Sequence, residues 1–252
     1  PLKKGVYLLP TNNKQYDANI EKQAELARTM YHIDGVKKII SNETLDAEYQ
    51  KAEKELQNIL EYWAKNMLDE RNGGFIGEIN HLDSKNILAD KGSVLNARIL
   101  WTFSAAYDLT KNPEYLNLAK RAFFYIKNYF YDKEFGGIFW TLYHNGAPKD
   151  TKNQIYALAF TIYGLSEFYK IYKNEEALEI AQNLFDQIEL HSRDTQKRGY
   201  LEAFTRNWEE IEDLRLSEKD ANEKKTMNTH LHIVEAYANL YLVWPNQKLK
   251  EA

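Results

Sequence analysis

The chain has 252 residues, 44% of them hydrophobic and 28% charged, an ordinary mixture long enough for one large or two ordinary domains around a substantial core. A formal net charge of −4 leaves no electrostatic footprint for nucleic acid or an anionic membrane, and no run approaches the ~18 apolar residues that span a bilayer. Cysteine is absent, so disulfides, thiolate catalysis and cysteine metal sites are excluded, and a reducing, cytoplasmic setting is expected.

Residues 1–42 do not share the pattern of the rest. Within them Tyr16 to Ile40 reads as a helix as far as Gly35, so an N-terminal helical extension of unassigned role precedes a domain over 43–252. Thr44 to Asp69 reads as the first outer helix. Ser93 to Thr110 is rich in Ala, Leu and aromatics on nearly all sides, as expected of a helix buried on most faces. Pro113 to Tyr131 is amphipathic, with Leu116, Ala119, Ala122, Phe123, Ile126 and Phe130 at three- and four-residue steps; Asn112-Pro113 supplies cap and turn chemistry before it. A turn at Gly136-Gly137 leads through the β-prone Ile138 to Tyr143 towards Gln154 to Lys173, a second mostly buried helix. Glu175 to His191 is amphipathic again. The charged run Glu209 to Lys225 reads as a solvated loop, and Met227 to Val243 is the last buried-type helix.

These elements are copies of one unit. Asp69-Glu70-Arg71-Asn72-Gly73-Gly74-Phe75 recurs as Asp132-Lys133-Glu134-Phe135-Gly136-Gly137-Ile138 and, more loosely, as Asp194 to Tyr200. Tyr107, Asn112 and Glu114 recur as Tyr169, Asn174 and Glu176. A fixed interval, here about 62 residues, signals a repeated supersecondary unit that needs its neighbours to bury its apolar face. Alternating inner and outer helices, three of each, predict an all-α fold: an α/α toroid or solenoid of about three helical hairpins, with a flat bundle as the alternative.

The repeat aligns Val94, Tyr156 and Asn228 and, four residues on, Arg98, Phe160 and His232. A four-residue step keeps each pair on one helix face, so three neighbouring helices offer corresponding side chains to one pocket, opening at their N-termini. His230 and His232 lie about 200° apart around a helix and cannot share a zinc ion. Glu235 does share a face with His232, to orient the imidazole or hold a metal. Arg98 lies in an apolar helix and so calls for a carboxylate partner or an anionic ligand. His232 is a candidate catalyst or a hydrogen-bonded core residue, and Tyr156 a core or site residue. Trp140, after a Gly-Gly turn, suits stacking on a sugar ring or packing over the rim. His32, His81, His144 and His191 read as surface or structural.

Lys91-Gly92-Ser93-Val94-Leu95-Asn96-Ala97-Arg98-Ile99-Leu100-Trp101 and the segment continuing to Tyr107 resemble the first signature of the cellobiose 2-epimerases, within the N-acylglucosamine 2-epimerase superfamily. Leu216-Ser217-Glu218-Lys219-Asp220 and Met227-Asn228-Thr229-His230-Leu231-His232 resemble the second. The resemblance covers Thr44 to Val243. It implies an (α/α)6 barrel and a cofactor-free, metal-free, reversible epimerisation at C2 of the reducing-end glucose of a disaccharide such as cellobiose, giving mannose through a cis-enediolate. It further implies catalytic roles for His232 and Arg98 and substrate-binding roles for Tyr156, Asn228, Asp220 and Trp140. Histidine suits proton transfer near neutral pH, and an arginine stabilises a developing oxyanion. Members of the family carry six hairpins and two further catalytic histidines, and six such units need roughly 370 residues. The chain is therefore expected to be a fragment, a half-barrel completed by a second chain or copy, or an inactive remnant. Two other functions stay open: a non-catalytic sugar-binding or structural half-barrel, and an α/α-toroid glycoside hydrolase, for which Asp220 and Glu235 are the only carboxylates to consider.

Overall fold

The computed structural model describes residues 42–252; the helix expected over Tyr16 to Ile40 lies outside the described residues. Two compact units are distinguished, Pro1–Asn58 and Ile59–Ala252. Of the first, the described part is the start of helix α1, which is exposed from Ala47 to Asn58. The second holds the repeat.

The described helices in chain order are α1 (Asn42–Asn66), α2 (Ser93–Thr110), α3 (Pro113–Tyr125), α4 (Ile155–Tyr172), α5 (Glu175–Gln187), α6 (Met227–Val243) and α7 (Gln247–Glu251). Helices α2, α4 and α6 form an inner row in which α4 packs between its two neighbours, while α3 packs on α2 and α5 on α4. This is the all-α hairpin architecture that the repeat predicts. Both Ser93–Thr110 and Met227–Val243 coincide with the expected helices. Asn112 and Asn174 cap the outer helices, their side chains accepting from the amides of Glu114 and Ala177; such caps are worth about 1 kcal/mol each.

The inner helices are buried to the degree their composition requires. Leu158, Ile162, Leu165 and Phe168 of α4 are fully buried, each worth about 1.5–3 kcal/mol. Helices α2 and α4 approach so closely at Gly164 that a Cβ there would lie 2.7 Å from the Ala97 carbonyl oxygen. The outer helices depart from the sequence expectation at their C-terminal ends. Instead of α-helix to Tyr131 and His191, each widens into a π turn, Ile126–Phe130 and Ile188–Ser192. The Tyr131 amide donates to the Ile126 carbonyl at 2.9 Å, and the wider turn lets Ile126 and Phe130 both face the core.

Short strands set the N-terminal ends of the inner helices. β1 (Glu78–Ile79) pairs with β2 (Lys85–Asn86); β3 (Lys91–Gly92) pairs with β4 (Thr141–Leu142), which pairs with β5 (Pro148–Asp150); β6 (Asn153–Gln154) pairs with β7 (Ala203–Phe204). Ser93 at the start of α2 donates its amide to the Trp140 carbonyl at 3.2 Å, and Ile155 at the start of α4 donates to the Glu202 carbonyl at 2.9 Å. The starts of α2 and α4 are thus tied to the residue just before a strand of the following unit.

The repeated aspartates close the turns between units. Asp69 accepts from the amides of Arg71 and Asn72, Asp132 from Glu134, and Asp194 from Gln196 and Lys197. Each also meets a cation: Lys91 at 2.7 Å, Arg206 at 2.6 Å and Lys225 at 2.6 Å. Lys91 and Lys225 occupy the same repeat position. In the middle unit Asn153 stands there and Arg206 supplies the charge from farther along the chain, which hides the third pair from sequence inspection.

Candidate active site

The three aligned positions Arg98, Phe160 and His232 meet. The Arg98 guanidinium carbon lies 4.4 Å from the centroid of the Phe160 ring, and the His232 ring centroid lies 4.3 Å from the same ring. Tyr156, one turn earlier on α4, meets the His232 ring edge-on at 4.9 Å. Its hydroxyl accepts a hydrogen bond from Arg98 Nη2 at 3.3 Å. Phe160 is therefore the floor on which a cation and a titratable ring are held together, a function its alignment with Arg98 and His232 could have signalled.

Arg98 differs from the sequence expectation. It is exposed on α2 rather than buried, and among the described residues it forms no ion pair. Cation–π attraction and a phenol oxygen replace the carboxylate partner, so the guanidinium keeps most of its donors for an incoming oxygen. Deeper along the same faces, Trp101 stacks on Tyr163 with centroids 5.3 Å apart. The Asn239 side-chain amide donates to the Tyr163 carbonyl at 3.1 Å. Burial first, then the Glu235 and Glu167 carboxylates, push the Tyr163 phenol above its ordinary pKa, keeping it a neutral hydrogen-bonding group.

The two histidines of α6 separate as helix geometry requires. His230 Nδ1 lies 2.7 Å from the Thr226 carbonyl oxygen, and Nε2 accepts from the Tyr200 amide at 3.0 Å. Both nitrogens are engaged, so this side chain is a strut between α6 and the Gly199 turn. Gly199 has φ +77°, and a Cβ there would sit 2.6 Å from His230 Nε2; only glycine fits. His232 instead puts Nδ1 2.7 Å from Glu235 Oε2, and among the described residues its Nε2 forms no hydrogen bond. Among the described residues no group of three or more His, Asp or Glu side chains is placed to hold a metal ion.

The remaining candidates fall in different places. Asn228 is exposed on α6, one turn before His232. Asp220 is exposed in the loop before α6, where its carboxylate accepts from the Ser217 amide and hydroxyl at 2.9 and 2.8 Å. That loop is anchored rather than free, since fully buried Gln154 donates to the Arg215 carbonyl at 2.9 Å. Trp140 is half-buried against the core, with its carbonyl bound to Ser93 and Lys152 Nζ 5.9 Å from its ring. His191, read as surface or structural, stacks on Trp208 at 4.6 Å. Neither the cavity of about 700 Å³ beside Tyr200 and Lys248 nor that of about 430 Å³ beside Tyr129 and Arg206 is lined by Arg98 or His232.

The family described as N-acylglucosamine 2-epimerase (GlcNAc 2-epimerase) matches residues 74–248. The chain belongs to this family. A cellobiose 2-epimerase of Bacteroides fragilis is 56% identical over 202 residues, covering 80% of this chain and 52% of that protein. Among solved structures, the cellobiose 2-epimerase of Bacillus thermoamylovorans superposes with a TM-score of 0.74 at 38% identity, over 79% of this chain and 52% of that one. That of Spirochaeta thermophila gives 0.75 at 35% identity, over 82% and 53%. This member of the N-acylglucosamine 2-epimerase family spans about half the length of the relatives it matches. None of its described helices is long and apolar enough to cross a membrane.

Proposed function

We propose that the chain carries one side of a carbohydrate 2-epimerase site, which interconverts glucose and mannose at the reducing end of a β-linked disaccharide such as cellobiose. The observation that carries this reading is the meeting of Arg98 and His232 on Phe160. Inversion at C2 of the open-chain sugar removes a proton next to the aldehyde, leaving negative charge on the enediolate oxygen. Arg98, with unused donors beside Tyr156, stabilises that oxygen. His232, with one ring nitrogen unbonded, exchanges a proton. Asn228, Asp220 and Trp140 are assigned to binding the sugar.

Inversion also needs proton transfer on both faces of the enediolate, and the cluster offers one titratable imidazole. Helix α6 exposes Met227, Leu231 and Val234 along its open side, whereas their counterparts Ile155, Ala159 and Ile162 in α4 are fully buried. A further inner helix, from a continuing segment or a second copy, belongs on this face and would bring the second proton-transfer group. Glycoside hydrolysis is the weaker reading, because the Asp220 and Glu235 carboxylates are engaged with Ser217 and His232.

The test is cellobiose titration into the 15N-labelled chain. Saturable perturbation of the His232 ring signals is expected, with slow or no exchange of the C2 proton into D2O. Arg98→Lys is expected to weaken binding at least tenfold with an unchanged circular dichroism spectrum. Wild-type-like response in that variant removes Arg98 from the site, and rapid mannose formation by the isolated chain removes the need for a second side.

A further inference from the structure

We propose that Glu235 is a positioning residue that holds the neutral His232 ring as its Nδ1–H tautomer and leaves Nε2 as the nitrogen offered to the ligand. The inference deepens the proposed function, on which its relevance to epimerisation rests, but its geometry stands alone. Glu235 follows His232 by three residues, close to one helical turn, so both side chains rise on the same face of α6. Their contact, Nδ1 to Oε2, is 2.7 Å. A carboxylate at neutral pH has no proton to give; the hydrogen in this contact therefore belongs to Nδ1. A neutral imidazole carries one N–H, so Nε2 is bare and can only accept.

The surroundings keep the ring from escaping this arrangement. Phe160 lies against it at 4.3 Å with planes inclined 40°, and Tyr156 meets it edge-on at 4.9 Å and 89°. The His232 side chain is 21% exposed and that of Glu235 52%, so one end of the pair is packed and the other open. The charged and titratable groups gathered around the ring are Arg98, Tyr156 and Glu235, with Tyr163 and Glu167 farther along α4. His230 shows the contrasting use of the same residue type. It too has its Nδ1 on an acceptor, the Thr226 carbonyl, but its Nε2 is consumed by the Tyr200 amide.

The consequence for chemistry is an order of events. A bare Nε2 receives a hydrogen bond from a sugar hydroxyl, or takes a proton while the electron pair stays on the sugar. The imidazolium so formed has a carboxylate already beside it, the logic by which an acid orients and supports a histidine base. Without Glu235 the ring is free to take the other tautomer, which presents an N–H where an acceptor is required.

The experiment is long-range 1H–15N correlation on the 15N-labelled 252-residue chain at mildly alkaline pH, where both tautomers are neutral and their nitrogen shifts differ. Wild type is expected to show His232 as the Nδ1–H form. Glu235→Leu is expected to convert His232 mainly to the Nε2–H form, while Glu235→Gln, whose carbonyl oxygen still accepts, retains Nδ1–H. His230 must keep its Nδ1–H pattern throughout, which reports that α6 is intact. If Glu235→Leu disturbs His230, the same comparison is made with Glu235→Ser. An Nε2–H form in wild type, or an Nδ1–H form surviving in a folded Glu235→Leu or Glu235→Ser, overturns the proposal. Since no sugar is present, these outcomes are independent of the cellobiose titration: the tautomer holds or fails separately from the epimerase reading.

Discussion

The seam between α2 and α4 and the open side of α6 are built from the same repeat, yet they differ in what surrounds them. Ile162 and Val234 occupy equivalent positions on α4 and α6; the first is fully buried and the second 67% exposed. The turns behave likewise. Lys91 and Asp69 are 1% and 6% exposed, whereas Lys225 and Asp194, in the same repeat positions, are 24% and 20% exposed. Repetition therefore copies residue types, and the neighbouring helix decides how much each copy is worth.

The sharpest test removes the buried cation. Burial tends to raise the Asp69 carboxyl, but hydrogen bonds from Lys91 and Asn72 outweigh it and hold the group below its usual range. Lys91→Met leaves that carboxylate buried without its cation, so a loss of about 3–5 kcal/mol is expected in urea denaturation. A loss under about 1 kcal/mol would mean that water reaches the turn and that the two ends of the molecule are alike.

The matched pair Ile162→Ala and Val234→Ala tests the helices directly. The former should cost about 2–5 kcal/mol through lost burial and a cavity. The latter should stay within about 0.5 kcal/mol in the isolated chain, as for an exposed position. Equal costs would show that α6 is covered in solution by another copy, which sedimentation would then detect.

The smallest effect belongs to the open turn and appears only in acid. The amides of Lys197 and Gln196, with Lys225, bring the Asp194 carboxyl down to about 2, the Lys197 amide contributing most. A depressed carboxyl contributes stability that is present above its unfolded value of about 3.9 and is lost as pH falls through the folded one. The urea midpoint of wild type should therefore fall more steeply between pH 4 and pH 2 than that of Asp194→Asn. Parallel curves would take Asp194 out of the acid response.

The chain order of residues was enough to establish the repeat, the bounds of α2 and α6, the alignment of Arg98 with His232 and the divergence of His230 from it. All of these follow from helical periodicity and from comparison of the chain with itself. Three things needed the folded molecule. The π turns at Ile126 and Ile188 end on buried residues of different character, Phe130 and Ser192, and nothing in the local pattern of either segment announces the wider turn. The pairing of Asp132 with Arg206 joins residues 74 apart in sequence, and no pattern specifies which distant cation arrives. The exposure of Arg98 and the bare Nε2 of His232 depend on how closely three helices approach, a distance set by Phe160, Tyr156 and the glycine at 164. Local periodicity is a property of neighbouring residues; burial and unspent hydrogen-bonding capacity are properties of space, fixed only when the helices pack.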